Sequence, residues 1–337
     1  MWGVDMEAGY NRIVKIDALE GMRGLQSGSV QSIVTSPPYF RQRDYGFAGQ
    51  WGQEGSPEEY VRNLVLLFRE AKRVLTDSGT IWLVLGDSYA GGPRGGQEGR
   101  FNYGQTGGAP VGVYEGIKKK DLLGIPWMVA FALRADGWYL RQEVIWYKTR
   151  SMPESVVDRC TRCHEYIFMF SKCARYYYDH RAIATELKKS SVDRLNQNIE
   201  GQKGSARVYG KKNGPFKTVY TPFTHKQDGH GVRYAGFNEC WLKGARGIAN
   251  RKSVWPIPTG VSKEEHFASF PPKIPELCIK ASTGEGDLVL DPFAGTGTTL
   301  LQASILGRGY IGFDLSAKYV EITRRRLKEL EGIFFRG

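Results

Sequence analysis

Two short runs in this chain hold residue types from which chemistry can be made. The first is Asp291-Pro292-Phe293-Ala294-Gly295-Thr296-Gly297-Thr298-Thr299, placed where an apolar strand gives way to a helix. Glycines at such a junction permit a tight turn and let a ligand come close to the backbone N–H groups of the helix start. The run is not the dinucleotide fingerprint, because the third glycine of Gly-x-Gly-x-x-Gly would fall at Leu300. Asp314 follows the next strand, 23 residues after Asp291, where a carboxylate can accept hydrogen bonds from ribose hydroxyls. The pair together implies an adenosyl ligand.

The second run, Thr35-Ser36-Pro37-Pro38-Tyr39, also ends an apolar strand. Its two prolines fix the backbone and remove two donors, which leaves a cluster of acceptors beside an aromatic face. An exocyclic base amine is a poor nucleophile because its lone pair is delocalised into the ring. Hydroxyl and carbonyl acceptors can draw its hydrogens out of plane and localise that pair, and Tyr39 can stack on the base. Alone, Ser-Pro-Pro-Tyr reads as a rigid turn without chemistry; beside an adenosyl signal it reads as a site. A third constellation, Cys160, Cys163 and His164, has the spacing of haem attachment or of half a zinc site, but Cys173 and Cys240 supply no second half. The five cysteines therefore read as small core or surface thiols, with no metal and no disulfide framework, as suits a reducing compartment.

These runs need elements to hold them, and the pattern is one of alternating strands and helices, typical of a mainly parallel sheet covered on both faces. Arg12 to Ile16 and Ser32 to Thr35 read as short strands. Ser56-Pro57-Glu58-Glu59 is a capping box with proline at the first helical position. Val61, Leu64, Val65, Phe68, Ala71 and Leu75 then form one apolar helical face, which Asp77-Ser78-Gly79 is expected to end. Thr80 to Leu85, Glu143 to Tyr147 and Ile167 to Phe170 supply further strands. Leu288 to Leu290, a helix from Thr298, Tyr310 to Phe313 and a helix from Ser316 to Leu330 make a βαβα unit.

Two segments depart from this alternation. Residues 86–116 hold eleven glycines and few charges, and read as a mobile loop. Residues 188–252 hold fourteen Lys or Arg against four Asp or Glu, a net +10 out of +12 for all 337 residues. There the basic residues alternate with aromatics such as Tyr209, Phe216, Tyr234 and Trp241, without a helical or strand period. Such a charge favours polyanionic partners, although a merely solvated insertion has the same composition. The N-terminus shows no basic segment followed by an apolar run, and no stretch reaches the 18 or so apolar residues of a membrane helix. A cytoplasmic protein without membrane attachment is the expectation.

The order of the motifs resembles the beta group of amino-specific DNA methyltransferases, in which Ser-Pro-Pro-Tyr precedes Asp-Pro-Phe-x-Gly-x-Gly. The resemblance covers most of the chain outside 90–120 and 188–252. Val14-Lys15-Ile16-Asp17-Ala18 is similar to the family strand whose Asp contacts the cofactor adenine, and Gly86-Asp87-Ser88-Tyr89 to the end of the next catalytic strand. Trp146-Tyr147-Lys148, His164-Glu165-Tyr166-Ile167-Phe168 and His266-Phe267-Ala268-Ser269-Phe270-Pro271 also resemble family segments, the last leading into a helix opened by Pro275. The resemblance implies a Rossmann-like α/β fold with a circularly permuted, mainly parallel sheet, helices on both faces and an inserted recognition region. It implies S-adenosyl-L-methionine as cofactor, with Asp17, Asp291, Pro292, Phe293, Gly295, Gly297, Thr298 and Asp314 around it, and Ser36, Pro37, Pro38 and Tyr39 as the catalytic run. On that reading 1–185 is the catalytic part, 186–255 the target-recognition insertion and 256–337 the cofactor part.

The implied substrate is duplex DNA with its target base rotated out of the stack. In the family Ser at position 36 favours cytosine N4, and adenine N6 is the alternative. Within the insertion Lys211, Lys212, Lys217, Arg246, Arg251 and Lys252 are the candidate phosphate contacts. A second copy of the chain and a companion restriction endonuclease are further candidate partners, the type being restriction-modification or orphan. Carbon-5 methylation would need a cysteine that follows a proline, and none of the five does. RNA or protein-amide methylation fits the motif order and the long insertion less well, and a basic binding protein that kept only the fold would not need both runs intact.

Overall fold

The computed structural model describes residues 10–47, 49–91, 114–187, 189–190, 248–260 and 270–334. These fall into two compact units, the larger drawn from 1–179 and 252–337 and the smaller from 180–251. The larger carries eight strands: β1 (Arg12–Lys15), β2 (Val30–Thr35), β3 (Leu75–Leu85), β4 (Tyr139–Tyr147), β5 (His164–Ser171), β8 (Val254–Pro256), β9 (Leu288–Asp291) and β10 (Gly309–Asp314). They form one sheet in the order β1-β10-β9-β2-β3-β5-β4-β8. All neighbours run parallel except at β5, which pairs antiparallel with both β3 and β4. In the smaller unit β6 (Thr185–Glu186) pairs antiparallel with β7 (Ile248–Ala249).

Alternation along the strands sends side chains to two helical layers. Ile33, Ile81, Leu83, Leu85, Leu290, Ile311 and Phe313 share a core with α1 (Ala18–Arg23), α2 (Pro57–Val74) and α3 (Ile125–Ala135). The opposite face meets α4 (Lys273–Ser282), α5 (Thr298–Ile305) and α6 (Ala317–Phe334). There the Ser32 hydroxyl shares a 2.8 Å hydrogen bond with that of Ser282. Gly312 leaves so little room that a Cβ would lie 2.5 Å from Leu300 Cδ1. Helices thus cover both faces of a mainly parallel sheet, as expected. Among the described residues no helix is long and apolar enough to cross a membrane.

The capping box forms, with Ser56 Oγ accepting from Glu59 N; the returning Glu59 carboxylate takes Gly55 N rather than Ser56 N. The expected stop at Asp77-Ser78-Gly79 is corrected: α2 ends at Val74 and β3 begins at Leu75, with the triplet bulging inside the strand. Gln31 stabilises the bulge, since its Oε1 accepts from Thr76 and Ser78 hydroxyls at 2.7 and 3.2 Å. Helix α3 was not foreseen. Residues 92–113, the centre of the glycine-rich stretch, lie outside the described residues. The first residues of that stretch are anchored: Ala90 N donates to Asp121 O and Leu123 N to Ser88 O, at 2.8 and 2.9 Å.

Candidate active site

The site is assembled where adjacent parallel strands end together. Ile33 of β2 lies opposite Leu290 of β9, so Ser36-Pro37-Pro38-Tyr39 and Asp291-Pro292-Phe293 leave the sheet side by side, at the carboxyl edge where ligands bind in open α/β sheets. Thr35 Oγ1 donates to Asp291 Oδ1 at 2.7 Å and ties the two runs together directly. Both runs line one cavity of about 450 Å³, within the range of small-ligand sites.

Ser36, Pro37, Pro38, Tyr39, Asp291, Pro292, Phe293, Gly295, Thr298 and Asp314 all line that cavity. Two of the expected cofactor residues stand differently. Gly297 is the N-cap of α5 at φ 79°, and a Cβ there would lie 2.3 Å from Thr323 Cγ2, so its glycine serves the turn and the packing behind the site. Asp17 caps α1, its Oδ1 accepting from Leu19 N and Glu20 N, and its Oδ2 accepts from Trp51 Nε1 at 2.9 Å. Its neighbours Ile16 and Ala18 line the cavity, as does Trp51, whose ring meets Phe293 edge to face at 5.8 Å.

Asp291 is buried and Asp314 partly buried, and both are held. Asp291 is 2% exposed, and its Oδ1 also accepts from Phe293 N at 3.0 Å. Asp314 accepts from Gly295 N with Oδ2 and from Ser316 N with Oδ1, at 2.9 and 2.7 Å. Burial raises both carboxyls to about 6, opposed only in part by the Thr299 and Thr35 hydroxyls and Phe293 N at Asp291 and by the Ser316 and Gly295 N–H groups at Asp314. Two carboxylates kept from water beside an aromatic pair suit a ligand that brings positive charge and hydroxyl donors of its own.

On the amine side Pro38 O accepts from Tyr60 Oη at 2.9 Å, which fixes the Pro-Pro turn. Burial first, then the charge of Glu165, raises the Tyr39 phenol well above its ordinary range, and a hydrogen bond with Ser36 opposes the shift. Tyr39 therefore stays neutral and donates a hydrogen bond through Oη to Glu165 Oε2 at 2.7 Å. Lys148 pairs with the other oxygen of Glu165, and both line the cavity with Trp146. Sequence reasoning noted the segments holding Trp146, Lys148 and Glu165 without giving them a role. It missed the stretch 42–51, from which Gln42, Arg43, Tyr45, Phe47, Gln50 and Trp51 reach the cavity. Its signal was a polar stretch rich in aromatics directly after a catalytic run.

Of the candidate DNA contacts, Lys211, Lys212, Lys217 and Arg246 lie outside the described residues. Arg251 Nε donates to Ile183 O at 2.8 Å, and Lys252 is exposed. Cys160 is exposed, Cys163 partly buried, and both are free thiols.

Comparison with known proteins bears on the same residues. The DNA methylase family matches residues 30–325. The Type II methyltransferase M.Cfr9I of Citrobacter freundii is 39% identical over 313 residues, 93% of this chain and 86% of the relative. The Type II methyltransferase M.SmaI of Serratia marcescens is 36% identical over 317 residues, 94% and 90% of the two chains. Among solved structures, the cytosine-N4-specific PvuII DNA methyltransferase aligns with a TM-score of 0.59 at 17% identity, over 97% of this chain and 92% of that one. A Thermus thermophilus protein described as a putative DNA modification methylase, and solved with S-adenosyl-L-methionine, aligns with a TM-score of 0.54 at 22% identity, over 95% and 94%. At those identities the structural likeness concerns the fold. The sequence match takes in both cavity-lining runs and every strand from β2 to β10, and by it the chain belongs to the N6/N4 family of DNA methylases.

Proposed function

We propose that this chain is a beta-group enzyme that methylates the N4 amine of cytosine in duplex DNA, using S-adenosyl-L-methionine. The observation that carries the reading is the Thr35–Asp291 hydrogen bond, which holds an acceptor-rich Ser-Pro-Pro-Tyr turn and a buried-carboxylate turn on one cavity. The cavity fits the cofactor in donor chemistry: Asp314 and Asp291 for ribose and ammonium donors, Trp51 and Phe293 for an adenine face, and the open Gly295 turn for close approach. Once bound, S-adenosyl-L-methionine supplies a methyl group activated by a sulfonium.

The chain's own part is alignment. Ser36 Oγ and the Pro37 carbonyl accept the two amine hydrogens, which localises the lone pair, and Tyr39 provides a stacking face for the base. A base inside a duplex cannot reach this turn, so the target must be rotated out at a cost of a few kcal/mol. The insertion 186–255 is proposed as the recognition region that holds the distorted duplex, with Lys211, Lys212, Lys217, Arg246, Arg251 and Lys252 on phosphates. Ser36 supports cytosine. Adenine N6 is the second reading, favoured by the family's coverage of both amines.

The test is transfer of labelled methyl from the cofactor to mixed-sequence duplex DNA, followed by identification of the methylated nucleoside. N4-methylcytosine is expected. N6-methyladenine would replace the base assignment, and DNA binding without transfer would leave a binding protein on a methyltransferase fold.

A further inference from the structure

We propose that Glu165 is a positioning residue for methyl transfer, which sets the angle of the Tyr39 ring through its phenol and is itself set by Lys148. This rests on the methyl-transfer reading above. Tyr39 leaves β2 on a turn that holds two prolines, so its backbone is fixed but its side chain could still rotate about two bonds. Two contacts remove that freedom. On one side the ring lies against the bare α-carbon of Gly86, at the end of β3, where a Cβ would fall 2.6 Å from Tyr39 Cε2. At its tip Tyr39 Oη donates to Glu165 Oε2 at 2.7 Å.

Glu165 can serve as an anchor because β5 is antiparallel to β4. That pairing sets Trp146 opposite Glu165 and Tyr147 opposite His164, and Lys148 N continues the ladder to Cys163 O at 2.7 Å. The Lys148 ammonium then reaches Glu165 Oε1, with the two side chains 23% and 16% exposed. It also lies over the Trp146 ring, 4.9 Å from its centroid. Each carboxylate oxygen thus has one partner, and the carboxylate cannot turn without losing one of them. A ring held at edge and tip presents its face at one angle, and placement errors of an ångström at a reacting centre cost on the order of 10²-fold in rate.

The proposal makes Glu165→Ala and Tyr39→Phe related perturbations: each breaks the same tether while leaving an aromatic ring, and Tyr39→Phe removes the hydrogen bond with Ser36 as well. Either should slow single-turnover methyl transfer by about 10- to 100-fold, with cofactor affinity and melting temperature close to wild type. The double variant should be no slower than the slower single, as expected for two partners in one contact. Glu165→Gln should recover most of the rate, because a phenol both donates and accepts, and an amide offers it a partner whichever way it faces.

Glu165→Gln as slow as Glu165→Ala would overturn the proposal in favour of a role for the carboxylate charge itself. Additive losses in the double variant, or a wild-type rate in Glu165→Ala, would overturn it as well. A wild-type chain that transfers no methyl would instead sink the functional reading, so the two failures are distinguishable.

Discussion

Gly86 gives the most direct measure of how much the site depends on the placement of one ring. It has no left-handed backbone, so alanine is compatible with its conformation; the obstacle is only the Tyr39 edge, 2.6 and 2.9 Å from the new methyl at Cε2 and Cδ2. Carbon atoms rest at about 3.5–4.0 Å, so the ring must retreat by roughly 1 Å. It cannot do so freely, because the phenol is tethered at 2.7 Å to Glu165, and Glu165 to Lys148. A 1 Å error at the reacting centre costs about 10²-fold, or about 2.7 kcal/mol of barrier. Overpacking should also lower stability by about 1–3 kcal/mol, so folding must be followed in parallel. The assay is single-turnover methyl transfer to duplex DNA, with calorimetric cofactor binding and a melting curve on the same Gly86→Ala sample. A folded variant that binds cofactor and transfers methyl at the wild-type rate would refute the reasoning, since the ring would then have moved without consequence.

Ser36→Ala should keep cofactor and DNA binding but lose about 10²–10³ in methyl transfer, the usual cost of one preorganised group that acts mainly in the transition state; full activity on cytosine and adenine duplexes alike would exclude Ser36 as an amine acceptor. Asp291 and Asp314 are raised from 3.8 to about 6, so the folded ligand-free protein binds protons that the unfolded chain releases. Their contribution to stability is full below about pH 4 and is lost as pH rises through about 6. Melting curves across pH 4–7 should therefore decline less steeply in Asp314→Asn than in wild type, and an unchanged slope would count against the burial argument. Neutralising Lys211, Lys212, Lys217, Arg246, Arg251 and Lys252 should flatten the salt dependence of DNA binding by about one unit per lost phosphate contact. Titrations at several salt concentrations would read this, with wild-type slope marking the segment as merely solvated.

What was legible in the sequence was local. The turn after β9 and the Ser-Pro-Pro-Tyr run each announce themselves within a few residues, because proline, glycine and carboxylate act on their own backbone. Helix α3, Ile-Pro-Trp-Met-Val-Ala-Phe-Ala-Leu-Arg-Ala, is apolar nearly all round and shows no polar face to betray its period; Gly124 at φ 75° followed by proline in the first turn was the usable signal. The Asp77-Ser78-Gly79 triplet reads as a helix stop because nothing nearby reveals that Gln31, more than forty residues earlier, will bind the bulge. Lys148 and Glu165 come together only through antiparallel pairing of β4 and β5, and strand periodicity carries no information about pairing direction.

The seam between β2 and β9 also governs when the molecule can exist at all. Thr35 and Asp291 are 256 residues apart, which at about 5–20 residues per second is on the order of 10–50 s of synthesis. Through that interval β2, buried along its whole length in the finished sheet, is an edge with open N–H and C=O groups and apolar side chains on both faces. β1, made earliest, has no sheet neighbour until β10 emerges. The nascent chain thus carries β2 with one edge unpaired for most of its birth, the kind of open edge that can pair with another chain. Catalytic competence arrives in a single late step, when the last parallel strands slot in and close the cavity's missing wall.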